Sequence, residues 1–341
     1  MIDYSQYALW NFCPWAWYER YVRQYVRRWE GQRSDALCLG SLVHNILDNV
    51  SRKGKPEIDT SVLIENSPTP ETVMLAEQLV YGYVKRYPRI EWPIEVTEAP
   101  LRFPLAEDFE GLAKLDGYFY VPEDTAVPSG IEGMTLTLAR GWWAQEYKTK
   151  AASRPRPEWI REWQTKRQCD FQMLALKHHL DSGQEESYLG IDCVQGVLIC
   201  VLEKPREYTP KRKCVACKET WELASFRPSS EGYCCPSCGK EQHLSPYIPK
   251  VPKTCDYFRI TATRTPDQLA VAREEILQIA IHMEDMRSFG RLWREPNRDN
   301  CVNNVHRTQC EYMEPHTYGP EVTEDRRFHQ IDTSAYMGVI V

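Results

Sequence analysis

Two segments rich in aromatic and aliphatic residues constrain the fold most, Gly111–Val121 and Trp142–Lys150. Both have the composition of β-strands, with small or charged residues interleaved among large apolar ones. Side chains two positions apart in a strand share a face, so Glu146 and Lys148 point the same way. Pairing of the two strands brings in Asp116, and two carboxylates then lie beside an ammonium. This pattern predicts a site for a divalent metal with hard oxygen ligands, magnesium or manganese.

A surface salt bridge between Glu146 and Lys148 is the alternative, and it is the better interpretation of an isolated Glu-x-Lys. The spacing favours a site instead, because 29 residues separate Asp116 from Glu146. The pattern Asp-x(29)-Glu-x-Lys resembles the active-site core of the PD-(D/E)XK nuclease superfamily. Within it, the chain is most similar to the RecB-like branch, which includes CRISPR adaptation nucleases and phage exonucleases. The resemblance implies an α/β, restriction-endonuclease-like fold with a central mixed sheet flanked by helices.

The N-terminal region, residues 2–50, is expected to be mostly helical, with a first helix that begins at Tyr4. Its aromatic and basic stretch, Trp15–Trp29, has two interpretations. Arginines among tyrosines suit single-stranded nucleic acid, through phosphate contacts and base stacking. The same pattern also describes an amphipathic helix with aromatic residues in the core and arginines in water.

Motifs in this region also resemble the RecB-like branch. Cys13 begins the order Cys-Pro-x-x-aromatic-Tyr, and Gly40 begins the order Gly-x-x-x-His that ends at His44. A lone histidine in a helix is otherwise more often structural. The resemblance implies that His44 and the carbonyl of Tyr147 complete the metal shell formed by Asp116 and Glu146.

Three further segments belong to the expected core. Pro70–Arg86 is predicted to be a helix, and Arg154–Arg167 is expected to be a basic segment broken by prolines. A helix is expected after it, where RecB-like enzymes carry a Gln-x-x-x-Tyr signature behind the active site. Gln172 matches the glutamine of this signature, while Leu176 occupies the tyrosine position.

Cysteines give the most specific local signal. Thirteen cysteines without a secretion signal indicate a reducing compartment and metal binding rather than disulfides. Two Cys-x-x-Cys pairs with 17 residues between them predict a zinc ribbon that leaves Cys234 unused. The four expected zinc ligands are Cys214, Cys217, Cys235 and Cys238. Flanking prolines mark the ribbon as an insertion, so the predicted organisation is a nuclease core at 1–205, a ribbon at 206–253 and the rest of the core at 254–341.

The C-terminal part is expected to resume the core with a strand at Tyr257–Thr261 and a helix capped by Thr265 and ended by Gly290. Beyond it, Cys301 and Cys310 match two of the three C-terminal cysteines that join an N-terminal one around an iron–sulfur cluster in many relatives. His316 occupies the place of the third cysteine. The group Cys13, Cys301, Cys310 and His316 has three interpretations: a 4Fe–4S cluster with a histidine ligand, a second zinc site, or core thiols left after loss of the cluster.

Composition limits the partners. The net charge of −6 gives no global attraction to nucleic acid, so DNA binding has to rest on local basic patches. No apolar run approaches about 20 residues, so no membrane span is expected. The N-terminus lacks the basic and apolar segments of a signal peptide, and the expected location is the cytoplasm of a bacterial or phage-infected cell.

These observations predict a Mg²⁺- or Mn²⁺-dependent deoxyribonuclease, an exonuclease of phage or bacterial recombination, repair or genome processing. Its expected partners are DNA, as single strands or duplex ends, and recombination or replication proteins. The competing interpretation is a non-catalytic nucleic-acid-binding protein that uses the zinc ribbon on a nuclease-like scaffold. A zinc hydrolase ranks last, because the sequence contains no His-Glu-x-x-His motif.

Overall fold

A computed structural model of the chain describes residues 1–27, 35–54, 57–59, 61–63, 68–87, 99–182, 194–205, 211–222, 227–229, 232–242, 255–290 and 328–330. Within these ranges, no helix is long and apolar enough to cross a membrane. Cys301, Cys310 and His316 lie outside the described residues, as does the segment that contains them.

The N-terminal part is mostly helical, as predicted. Its elements are β1 (Ile2–Asp3), α1 (Tyr4–Phe12), α2 (Pro14–Trp17), a π-helical turn (Tyr18–Val22), β2 (Tyr25–Arg27), α3 (Asp35–Lys53) and α4 (Pro70–Arg86). Trp17 is fully buried, and Arg23 forms a 3.0 Å ion pair with the buried carboxylate of Glu19. The described part of the aromatic and basic stretch is not one amphipathic helix, because it ends in β2, and its tyrosines and the arginines at 20 and 23 are all partly exposed. Both interpretations of this stretch stay predictions.

Among the residues described in the middle of the chain, six strands, two helices and a further strand follow one another. They are β3 (Ala99–Ala106), β4 (Phe109–Leu115), β5 (Gly117–Val121), β6 (Thr125–Pro128), β7 (Thr135–Leu138), β8 (Gly141–Lys150), α5 (Arg156–Thr165), α6 (Arg167–Ser182) and β9 (Val194–Glu203). Helix α5 corrects the expectation of a proline-broken segment at Arg154–Arg167. Pro155 precedes this helix and Pro157 lies in its first turn, where a missing N–H group breaks no helical hydrogen bond.

A four-stranded mixed sheet, in the order β15–β9–β8–β5, positions the candidate site. Strand β15 (Asp256–Thr263) is antiparallel to β9, β9 is parallel to β8, and β8 is antiparallel to β5. Helices cover both faces of this sheet, so the predicted α/β class with a mixed sheet flanked by helices is confirmed. One face packs against α5 and α6, with α1 and α7 (Pro266–Phe289) in the same hydrophobic core, and the other packs against α3 and α4.

The expected single strand Gly111–Val121 is broken at Asp116, which corrects the prediction. Strand β4 joins a separate sheet with β3 and β1, while β5 forms an edge of the four-stranded sheet. At the junction, Oδ2 of Asp116 accepts a 2.7 Å hydrogen bond from the backbone N–H of Tyr147. If β5 continued past this point, its backbone would pair with the N–H of Tyr147. The side chain of Asp116 accepts that hydrogen bond instead, so the chain changes sheets without leaving a backbone donor unsatisfied.

The described part of the segment predicted to be a zinc ribbon lies between β9 and β15 in the chain and consists of short strands. They are β10 (Lys211–Lys213), β11 (Thr220–Glu222), β12 (Arg227–Ser229), β13 (Gly232–Cys234) and β14 (Glu241–Gln242). After β15, α7 begins with the predicted capping box of Thr265 and Gln268 and ends before Gly290, whose φ is +84°. The last described strand, β16 (Phe328–Gln330), pairs with β2, so a C-terminal segment reaches the N-terminal region.

Candidate active site and metal-binding cluster

Asp116 connects strand β5 to helix α3. The β5–β8 register pairs Gly117 with Gln145, and its continuation places Asp116 opposite Glu146. Oδ1 of Asp116 lies 3.1 Å from Nδ1 of His44, which projects from α3. Because Oδ2 is held by the N–H of Tyr147, both oxygens of this carboxylate are fixed.

Glu146 is buried on the opposite side of the β8 backbone from Tyr147, facing α6. Its carboxylate accepts a 2.8 Å hydrogen bond from Nε2 of Gln168 and another from Nε2 of Gln172. The ammonium of Lys148 forms an ion pair with the same carboxylate, as the shared strand face predicts. The predicted residues Asp116, Glu146, Lys148, His44 and Gln172 therefore lie in one neighbourhood.

Charges in this neighbourhood perturb one another. Burial raises the pKa of Asp116, but His44, the charge of Lys148 and the N–H of Tyr147 together lower it by more, so it lies below its usual value. Burial, followed by the charge of Asp116, holds the pKa of Glu146 above its usual value. Burial lowers the pKa of Lys148, but the carboxylates of Glu146 and Asp116 raise it by more, so Lys148 stays protonated at neutral pH.

The two carboxylates match the ligand chemistry of a hard divalent ion, since carboxylate oxygens suit magnesium or manganese. Gln172 adds a second indication: it is 1% exposed, and its Oε1 has no hydrogen-bond partner. A buried acceptor without a partner is costly unless water or a ligand satisfies it. Among the described residues, however, only a group of four cysteines has all its ligand atoms within 4.8 Å of one another. This means that the ligand atoms of Asp116, Glu146 and His44 lie too far apart to form such a compact group. Binding an ion between Asp116 and Glu146 therefore requires Glu146 to exchange some of its present partners.

Sequence reasoning did not identify Gln168 and Lys166 as residues near the site. Gln168 lies four residues before Gln172, and this helical spacing places both amides on the same face of α6. The spacing of four residues between Gln168 and Gln172 is the feature of the sequence that could have indicated a role for Gln168 beside Gln172. Lys166 lies between α5 and α6, and its position beside the site depends on how the two helices meet.

Four cysteines form the second candidate site. Cys214 and Cys238 have sulfur atoms 3.6 Å apart, and those of Cys217 and Cys235 are 3.7 Å apart. A tetrahedral zinc with Zn–S bonds of about 2.3 Å requires sulfur separations of about 3.8 Å, so the cluster has the dimensions of a zinc site.

The environment of Cys214 also favours the thiolate form that binds metal. Backbone N–H groups, that of Cys217 first, lower the pKa of Cys214 to about 6. The backbone N–H of Glu219 lowers the pKa of Cys217, but burial and hydrogen bonds with the other three cysteines raise it by more, to about 12. In a metal-free cluster, Cys214 therefore ionises before Cys217. Cys234 points away from the cluster, with its sulfur 3.9 Å from Oε1 of Glu241, as expected of a residue that is not a ligand. The four predicted cysteines thus form a group with the geometry to hold a metal ion such as zinc.

Cys13, the N-terminal member of the third predicted group, is fully buried between α1 and α2. Its expected partners Cys301, Cys310 and His316 lie outside the described residues, so their convergence stays a prediction. In comparisons with known proteins, no family model, curated protein or solved structure matched the chain.

Proposed function

We propose that the protein is a Mg²⁺- or Mn²⁺-dependent deoxyribonuclease of the RecB-like PD-(D/E)XK class that hydrolyses phosphodiester bonds, acting as an exonuclease. The observation that carries this proposal is the placement of Asp116 opposite Glu146, with His44 against the first and Lys148 against the second. The mixed sheet β5–β8–β9–β15, with α6 behind the site, supports a restriction-endonuclease-like fold.

Asp116, Glu146 and His44, with the carbonyl of Tyr147, would hold the ion. When bound, such an ion supplies an activated water and neutralises charge that develops on the phosphate. Lys148 orients the attacking water and stabilises the negative charge of the transition state, because its ammonium is protonated at neutral pH. Gln168 and Gln172 position the carboxylate of Glu146 through their hydrogen bonds.

End-labelled single- and double-stranded DNA tests the proposal directly. Incubation with Mn²⁺ should shorten the labelled strand progressively, and EDTA should stop the reaction. Absence of cleavage with either divalent ion, on single strands and on duplex ends alike, contradicts the proposal. The cytoplasm of a bacterial or phage-infected cell and partners in recombination or replication follow from the same proposal.

A second candidate function is non-catalytic nucleic-acid binding by the ribbon, which the four-cysteine cluster favours. The two functions differ in one measurement. A binding protein retains DNA in the presence of Mn²⁺ without shortening it, and loses the interaction when the ribbon cysteines are replaced.

A further inference from the structure

We propose that Lys166 binds the phosphodiester group adjacent to the scissile one, so that the site takes a single DNA strand rather than an isolated phosphate ester. This inference rests on the proposed function and identifies the substrate class of the same site.

The ammonium groups of Lys148 and Lys166 both lie against one aromatic ring, that of Trp163. Nζ of Lys148 is 5.2 Å from the ring centroid, and Nζ of Lys166 is 4.1 Å from it. The ring is 4% exposed and therefore fixed. Lys148 comes from β8 and Lys166 from the α5–α6 corner, so the tertiary structure brings together two cations that repel each other. Each ammonium already contacts one carboxylate, Glu146 for Lys148 and Glu162 for Lys166, and a phosphate between the two lysines would be a counter-charge shared by both.

The backbone at Lys166 is held from a third element, the β15–α7 connection. Arg264 donates from Nη1 to the carbonyl of Gln164 at 2.7 Å and from Nη2 to the carbonyl of Lys166 at 3.4 Å. Its Nε donates to the fully buried carboxylate of Asp170 on α6. Because the corner is fixed before any ligand arrives, little backbone freedom is lost on binding.

Local charge favours two phosphates. Among the ion pairs of the described residues, Lys166 has one, a 3.5 Å contact with Glu162, and Arg154 shares this carboxylate. With Lys148 paired to Glu146 and Lys166 paired to Glu162, the two cations at the Trp163 ring are matched by two carboxylates. A divalent ion at the proposed site then leaves an excess of about two positive charges, which matches two phosphodiester monoanions.

Aromatic rings beyond Lys166 indicate a single strand rather than a duplex. The ring of Tyr4 lies 5.9 Å from Nζ of Lys166, and it stacks on Tyr7 with ring centroids 6.5 Å apart. Both tyrosines are partly buried against the core, and the buried Phe171 makes a T-shaped ring contact with each of them. Partly exposed aromatic rings beside lysine side chains provide stacking surfaces for unpaired bases, as in proteins that bind single strands.

Fluorescence anisotropy with a labelled single-stranded oligodeoxynucleotide tests the inference on the full-length protein, in EDTA and in Ca²⁺. The test variant is Lys166→Gln. Lys166→Arg retains the positive charge, and Lys177→Gln removes a 58% exposed lysine from α6 as the matched control. We expect Lys166→Gln to weaken binding about fivefold to tenfold. The slope of log K against log salt should fall by about 0.7, the value for one phosphate contact on a single strand. Lys166→Arg and Lys177→Gln should keep the wild-type slope.

An unchanged salt slope in Lys166→Gln overturns the phosphate contact, since lost packing alone does not change the number of released counterions. If wild-type protein cleaves DNA and Lys166→Gln binds like Lys177→Gln, the subsite is wrong while the proposed function stands. If wild-type protein neither binds nor cleaves DNA, both are wrong. Equal binding of a blunt duplex and a single strand overturns the strand preference.

Discussion

Replacing Glu146 with glutamine separates catalysis from stability. In the wild-type protein this buried carboxylate accepts hydrogen bonds from two glutamine amides and pairs with the ammonium of Lys148. Glutamine at position 146 has one acceptor oxygen, and its NH₂ group would face another donor. Each lost hydrogen bond to the charged group costs about 1.5–3 kcal/mol. Lys148 keeps a counter-charge from Asp116, and its side chain is 25% exposed, so its ammonium is not left buried and unpaired. Loss of the desolvation penalty of the carboxylate then offsets much of the cost of the lost hydrogen bonds.

The expected result is a large loss of cleavage with a small change in stability. Loss of a metal-binding carboxylate should raise the activation free energy by at least about 4 kcal/mol, about a thousandfold in rate. The free energy of unfolding of Glu146→Gln should change by less than about 2 kcal/mol, given the opposing effects. Single-turnover cleavage with Mn²⁺ and urea denaturation measure the two quantities.

Glu203→Gln is the matched control. Glu203 is an ion-paired carboxylate on the neighbouring strand β9, and it contacts Lys150 at 3.2 Å and Arg156 at 2.9 Å. The side chain of Lys150 is 1% exposed, so the same substitution leaves a buried ammonium without its carboxylate and should cost about 3 kcal/mol of stability. Its cleavage rate at a temperature where it is folded should stay near wild type. Near-wild-type cleavage by folded Glu146→Gln would refute the assignment of the active site.

Two further predictions concern cysteines. Purified protein should contain about one equivalent of zinc per chain, bound by the four ribbon cysteines. Cys235→Ser should remove the zinc and make the ribbon sensitive to protease, while the core keeps its melting temperature. Elemental analysis that finds no zinc, together with four freely titratable thiols, contradicts this prediction. The second prediction concerns Cys169, whose thiol pKa is raised to about 12 by burial and then by the charge of Glu146. Iodoacetamide reacts with the thiolate, so at about pH 8 it should leave Cys169 unmodified in the folded protein. The partly exposed Cys234 should be labelled under the same conditions. Peptide mass spectrometry measures both, and rapid labelling of Cys169 in folded protein argues against the described packing of α6.

Local signals in the sequence determined several features of this protein by themselves. The Thr265 capping box and the glycine at position 290 define α7, because backbone N–H and carbonyl groups at helix ends need partners that only nearby residues provide. The two Cys-x-x-Cys pairs predicted the cysteine cluster, since each pair is a local turn. Glu146 and Lys148 share a face because alternation along a strand is a property of the backbone.

Tertiary structure decided the rest of the candidate site. The break at Asp116 depends on β4 and β5 joining different sheets, and the register of β5 against β8 depends on their partners. Contacts of His44 with Asp116 and of Gln168 with Glu146 span 72 and 22 residues. The shared ring of Trp163 brings Lys166 to Lys148 only after α5 has packed beside β8. Such contacts follow from burial and packing of whole elements, which no short stretch of sequence encodes.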